Sequence, residues 1–173
     1  MIFAIQVIAG LLLALAMSLS LAHALELPGK KRLDERTYMA VQTIYYPGFT
    51  LGGLGEPPAI IATLVLILMT PRSASAFWWT VIAFVGVALM HAIFWLVTQP
   101  VNRYWLKNQQ LGKVGEKFLS QTPGIAGEHE EQNWVRLRDR WEYSHLVRAV
   151  CSVVAFVAVI IAVMLGGPGS RSF

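Results

Sequence analysis

The chain has 173 residues, 55% hydrophobic and only 14% charged, with a mean hydropathy of +0.54, a balance too apolar for an ordinary soluble domain. A net charge of +4 is too small to suggest nucleic acid as a partner, and the cations do not alternate with exposed aromatics along a soluble groove. The single cysteine, Cys151, rules out an intrachain disulfide, and its place in an apolar run predicts a buried structural thiol.

Residues 2–25 are long enough to cross a bilayer, with an early polar break at Gln6. Ala22-His23-Ala24 mimics a signal-peptidase site, but the run before it lacks a basic start and exceeds an ordinary signal core, so a retained first span is expected. Gly10, Ala14, Ser18 and Ala22 recur every four residues, a groove in which a helix of a partner chain can pack closely. His23 and Glu26 follow at i and i+3, and the sequence LPGKKR at 27–32 is expected to end the span with a turn and a basic cluster. Residues 34–45 read as a short interfacial amphipathic helix with Tyr38, Val41, Gln42 and Tyr45 on one side, broken by Tyr46-Pro47-Gly48.

The second span is expected at 49–70, yet only its last part is purely apolar, because Gly52, Gly53, Gly55, Glu56, Pro57 and Pro58 interrupt it. A broken helix is the economical answer. Irregular backbone at membrane depth survives only where protein or a wet cavity covers it, so the break itself points to an internal site. After the turn at Pro71-Arg72-Ser73, the third span covers 77–98, opened by Phe77, Trp78 and Trp79 as an aromatic belt. His91, Trp95, Thr98 and Asn102 share one face before Gln99-Pro100-Val101-Asn102 closes it. The loop at 107–131 is polar and holds His129 beside three glutamates, a solvated histidine by this reading, and 166–173 is a frayed tail.

The last span, 146–165, is entered through the polar and aromatic run WVRLRDRWEYSHLVR at 134–148. There Trp134, Arg138, Trp141, His145, Arg148 and Ser152 are spaced 4, 3, 4, 3 and 4 apart and lie on one helix face. Trp134 and Arg138 suit an interfacial belt, whereas His145 and Arg148 stand where the helix enters lipid and are expected to face the bundle interior.

These elements predict an all-α polytopic membrane protein, one domain over 1–173, built as a four-transmembrane-helix bundle with a broken second span and interfacial amphipathic helices. Twelve Lys and Arg fall on the side of the connections after spans one and three, against Arg72 and Arg171 on the other. That asymmetry predicts cytoplasmic long loops, both termini outside, and a bacterial inner membrane as the location.

The same topology gathers His23, Glu26, Glu56, His91, His145 and Arg148 at the cytoplasmic end of four helices. A charge left alone there costs about 2.5–3.5 kcal/mol or more, so mutual pairing around a cavity is expected, for example Glu56 with Arg148 and Glu26 with Lys30. Two chemistries fit. In one, His91, with His145 as second choice, is a general base on a bound organic molecule while Arg148, Asn102 or an indole stabilises the anion formed. In the other, His23, Glu26, Glu56, His91 and His145 supply ligands for iron, or two histidines grip a haem.

On Gln99-Pro100-Val101-Asn102 and Trp141-x-x-x-His145-x-x-Arg148, the sequence resembles the small four-span membrane family of unknown function grouped with the anthrone oxygenases. The resemblance implies O2-dependent oxidation of a tricyclic phenolic anthrone to a quinone without metal or added cofactor. It implies Asn102, Trp141, His145 and Arg148 as the matching site positions. The HALELPGK and YYPGFTLGGLGEPP stretches depart from the family pattern and mark a separate branch, which can share a fold and differ in substrate. The expectation is thus a cofactor-free oxidoreductase or oxygenase-like protein acting on an apolar aromatic molecule, with a metal- or haem-binding redox protein and a non-enzymatic subunit of a membrane complex as rivals.

Overall fold

The computed structural model of the chain describes residues 2–105 and 134–166. Among these there is helix and turn but no strand, and four helical segments are long and apolar enough to cross a membrane: Ile2–Lys30, Gly48–Met69, Ala76–Asn102 and Trp134–Leu165. The loop with His129 and all of the tail beyond Gly166 lie outside the described residues.

Helix α1 (Ile2–Lys30) is followed by a short α2 (Glu35–Gln42), which Asp34 caps by accepting from the Thr37 amide at 2.8 Å. A 3₁₀ turn, Thr43–Tyr45, then leads to the broken second span, made of α3 (Gly48–Gly53) and α4 (Glu56–Met69). The third span is α5 (Ala76–Ile93), a π turn (Phe94–Thr98) and α6 (Gln99–Trp105), and α7 (Trp134–Leu165) is one unbroken helix. Around the bundle the neighbours run α1, α4, α5, α7 and back to α1.

The membrane-embedded core is made largely of small residues: Ala9 and Leu13 of α1, Ala59, Ala62 and Leu66 of α4, Ala83 and Val87 of α5, and Ala155, Ala158 and Val159 of α7. In lipid no hydrophobic force drives helices together, so close backbone approach has to supply the attraction. Gly86 shows how close it is, since a Cβ there would stand 3.0 Å from both the Ala155 Cβ and the Cys151 carbonyl oxygen. Polar ties add to it, with the Ser20 and Ser152 hydroxyls 2.8 Å apart between α1 and α7. On α1 the core face is Ala9, Leu13, Ala16, Ser20 and His23, while the small-residue stripe lies beside it, with Ser18 exposed and Gly10, Ala14 and Ala22 partly covered.

Three expectations need correction. The first helix does not stop near 25 but runs to Lys30 with Pro28 inside it. Lys30 is drawn back over the bundle, its Nζ 3.0 Å from Glu26 Oε2 and 3.5 Å from Glu142 Oε2, and these pairs hold the last turn despite the amide missing at Pro28. Nor does the third span end at 98. Pro100 offers no N–H to the Leu96 carbonyl, so the backbone widens into the π turn, Arg140 Nη2 donates to Leu96 O at 3.4 Å, and the helix continues to Trp105. Finally, Cys151 is only partly buried, although its backbone carbonyl lies at the Gly86 contact.

Candidate active site

The break in the second span creates the site. Leu54 and Gly55 form a turn that lies against α1, where a Cβ on Gly55 would meet Leu15 Cδ2 at 3.2 Å and one on Gly52 would collide with Leu19 Cδ1 at 2.5 Å. The turn frees the N-terminus of α4 to face the bundle interior. Pro57 and Pro58 fit this first turn because its N–H groups have no helical partners anyway. Glu56, 3% exposed, is thereby held at a helix start, where the backbone dipole favours a carboxylate.

From Glu56 a chain of hydrogen bonds crosses the bundle, and the donor in each link is fixed by chemistry. Arg148 Nη2 donates to Glu56 Oε1 at 2.5 Å. The other carboxylate oxygen can only accept, so His91 Nδ1, 3.0 Å away, carries a proton. An indole can only donate, so His91 Nε2 accepts from Trp95 Nε1 at 2.9 Å. His91 is therefore a neutral imidazole with its lone pair on Nε2, oriented by a carboxylate behind it. At the other end, Arg148 Nη1 lies 3.2 Å from His145 Nδ1; a guanidinium has no acceptor, so that nitrogen accepts and the proton of His145 sits on Nε2. The two histidines hold opposite tautomers. His91, whose side chain is 26% exposed, can take a proton, and His145, 4% exposed, presents one.

Both histidines line one cavity of about 130 Å³. Its walls include Leu19, Phe49, Phe94, Pro57 and Trp105, and its polar lining includes Gln42, Glu56, Asn102 and Arg148. Trp141 Nε1 donates to Asn102 Oδ1 at 2.7 Å, and Asn102 Nδ2 donates to Gln99 Oε1 at 3.0 Å, so this amide is held in one orientation. The His145 ring packs on His23 at 4.0 Å and on Trp141 at 4.3 Å between centroids.

All six candidate catalytic residues, His91, His145, Arg148, Asn102, Trp141 and Glu56, line this one cavity. His23 joins them, whereas Glu26 turns to Lys30 and to Tyr45, whose hydroxyl donates to it at 2.6 Å. Both anticipated ion pairs, Glu56 with Arg148 and Glu26 with Lys30, are present. Among the described residues no three His, Cys, Asp or Glu side chains are grouped to hold a metal ion.

The sequence model of a family described as anthrone oxygenase matches residues 49–158. The chain belongs to the anthrone oxygenase family. The matched segment runs from α3 into α7 and so carries Glu56, His91, Asn102, Trp141, His145 and Arg148, while α1 and α2 lie before it. No curated protein and no solved structure matches the chain.

The spacing argument missed other residues of this site, some of them before the matched segment and some within it. Tyr45 and Phe49 stack on His23 at 4.5 and 4.6 Å, and Gln42 lines the cavity from the end of α2. Glu142, 1% exposed, accepts from the Tyr38 hydroxyl at 2.9 Å. It stands four residues after Arg138 and three before His145, so extending the helix face by one position would have found it.

Burial pushes the Tyr38 phenol above its ordinary value, with Glu142 adding to the shift, and burial followed by the bond to Glu26 does the same for Tyr45. An unfolded tyrosine ionises near about pH 10, so above that pH the unfolded chain binds fewer protons than the folded one and stability falls. Thermal unfolding in detergent is expected to be insensitive to these two groups below that range and to lose midpoint temperature above it. The Tyr38→Phe/Tyr45→Phe double variant should show a shallower alkaline decline, and an unchanged slope would refute the assignment.

Proposed function

We propose that this family member is a membrane-embedded oxidoreductase that uses O2 to oxidise an apolar phenolic or quinone-type molecule in the cavity, with His91 as general base. The observation that carries the reading is the fixed tautomer of His91: Glu56 takes the Nδ1 proton's hydrogen bond, and the lone pair on Nε2 borders the cavity. A carboxylate behind an imidazole stabilises the imidazolium that forms on proton abstraction, as in other base dyads. Trp95 occupies that lone pair in the resting arrangement and has to turn aside for substrate.

For an anthrone, His91 Nε2 removes a proton from the ring methylene, and the negative charge passes to the ring oxygen. The carbon then bonds O2, and loss of water leaves a second carbonyl. The methylene loses two hydrogens and gains one oxygen atom, while the other oxygen atom leaves as water. In this reading no cofactor is needed. The charge asymmetry supports a cavity near the cytoplasmic face with both termini outside.

The test is oxygen uptake by protein in mild detergent with an anthrone as substrate, with metal content measured per chain on the same sample. One O2 consumed per quinone formed, independent of added cofactor and of any bound metal, is the expected result. Near-stoichiometric iron that is lost in His91→Ala together with activity would instead establish the metal-dependent alternative.

A further inference from the structure

We infer that the cavity recognises its ligand through acceptor oxygens, and that the Gln42 amide and the His145 Nε2–H are the donors that read them; this rests on the proposed function for the place of the site. Gln42 ends α2, is 4% exposed and lines the cavity, and its Nε2 has no hydrogen-bond partner. His145, also 4% exposed, gives its Nδ1 lone pair to Arg148, so the partnerless Nε2 is the nitrogen that carries the proton. Arg148 Nε, on a residue lining the same cavity, has no partner either. Buried polar atoms without partners are uncommon in folded proteins, and here they share one cavity and one sign.

Three acceptor groups around them are already engaged. Glu56 receives His91 and Arg148, Asn102 Oδ1 receives Trp141, and His91 Nε2 receives Trp95. A ligand that offers only donors finds these three occupied and leaves the buried donors unpaired, whereas one that offers carbonyl or phenolate oxygens completes donors that are otherwise orphaned. With apolar walls on either side, the fitting class is a planar aromatic carrying ketone, quinone or phenolate oxygens, in preference to the bare hydrocarbon. Gln42 also lies before the matched segment at 49–158, so this part of the recognition belongs to the N-terminal region and not to the segment the family shares.

The experiment measures equilibrium binding to the full chain in detergent, without oxygen, by quenching of indole fluorescence and with correction for partitioning into micelles. Anthraquinone, with two acceptor oxygens, is compared with anthracene, which has none. Wild-type protein should prefer anthraquinone by at least about tenfold, the usual scale for one buried hydrogen bond that a ligand completes. Gln42→Met, and Gln42→Glu with its acceptor in place of the donor, should each lower that ratio about tenfold by weakening anthraquinone alone. A wild-type ratio near one, or ratios unchanged in both variants, would overturn the inference, and the wild-type ratio decides even if neither variant folds. Because this binding needs neither base nor O2, an intact preference without turnover would defeat the oxygenase reading and keep the donor pair; turnover without preference would do the reverse.

Discussion

Glu56→Gln is expected to lower stability by about 3–5 kcal/mol and to abolish turnover, because it leaves Arg148 as an uncompensated buried charge. The carboxylate accepts from Arg148 on one oxygen and from His91 on the other. A glutamine of the same shape turns an amide N–H towards one of these donors and removes the negative charge from both. Thermal or denaturant unfolding in detergent reads the first effect. The decisive comparison is with Glu56→Gln/Arg148→Met, which removes both charges. Replacing a buried ion pair by apolar volume is often neutral, so the double variant should recover most of the lost stability while remaining inactive. If the double variant is no more stable than the single one, the pair is not what holds this end of α4, and if activity returns with stability, Glu56 has no role in orienting His91.

The convergence of His23, Glu56, His91, His145 and Arg148 was legible in the sequence because each is an ionisable residue where an apolar helix begins or ends, and lipid forbids leaving such groups alone. The break was equally legible, since Pro57 and Pro58 suit the first turn of a helix and not its interior. Directions of hydrogen bonds were not. The sequence nominates both His91 and His145 as bases, His91 first, and only the identity of the atom facing each ring nitrogen, a carboxylate or a guanidinium, separates acceptor from donor. Spacing puts Gln42 and Tyr45 on one side of an interfacial helix, but nothing in a short helix says which surface it lies against. The π turn was hidden for a similar reason: Pro100 signals that a helix should stop, and the rescue comes from Arg140, distant in sequence.

The tautomers lead to the other large effect. His91→Ala is expected to reduce kcat by about 10²–10⁴-fold with little change in KM, the usual contribution of a positioned acid–base group. Stability should change far less than in Glu56→Gln, since Arg148 still neutralises the carboxylate. Added imidazole, diffusing into the space vacated, should restore part of the rate, a response that a merely structural histidine would not give. Trp95→Phe supplies the opposite arm. Its indole N–H occupies the lone pair that the reaction needs, so removing it while keeping an aromatic ring should leave kcat at or above the wild-type value. Equal losses in His91→Ala and Trp95→Phe, with no imidazole rescue, would mean that the bond between these two side chains is itself the functional element. Rescue of His91→Ala together with full activity of Trp95→Phe would place proton abstraction on Nε2, with the buried carboxylate at the broken helix orienting the ring through Nδ1.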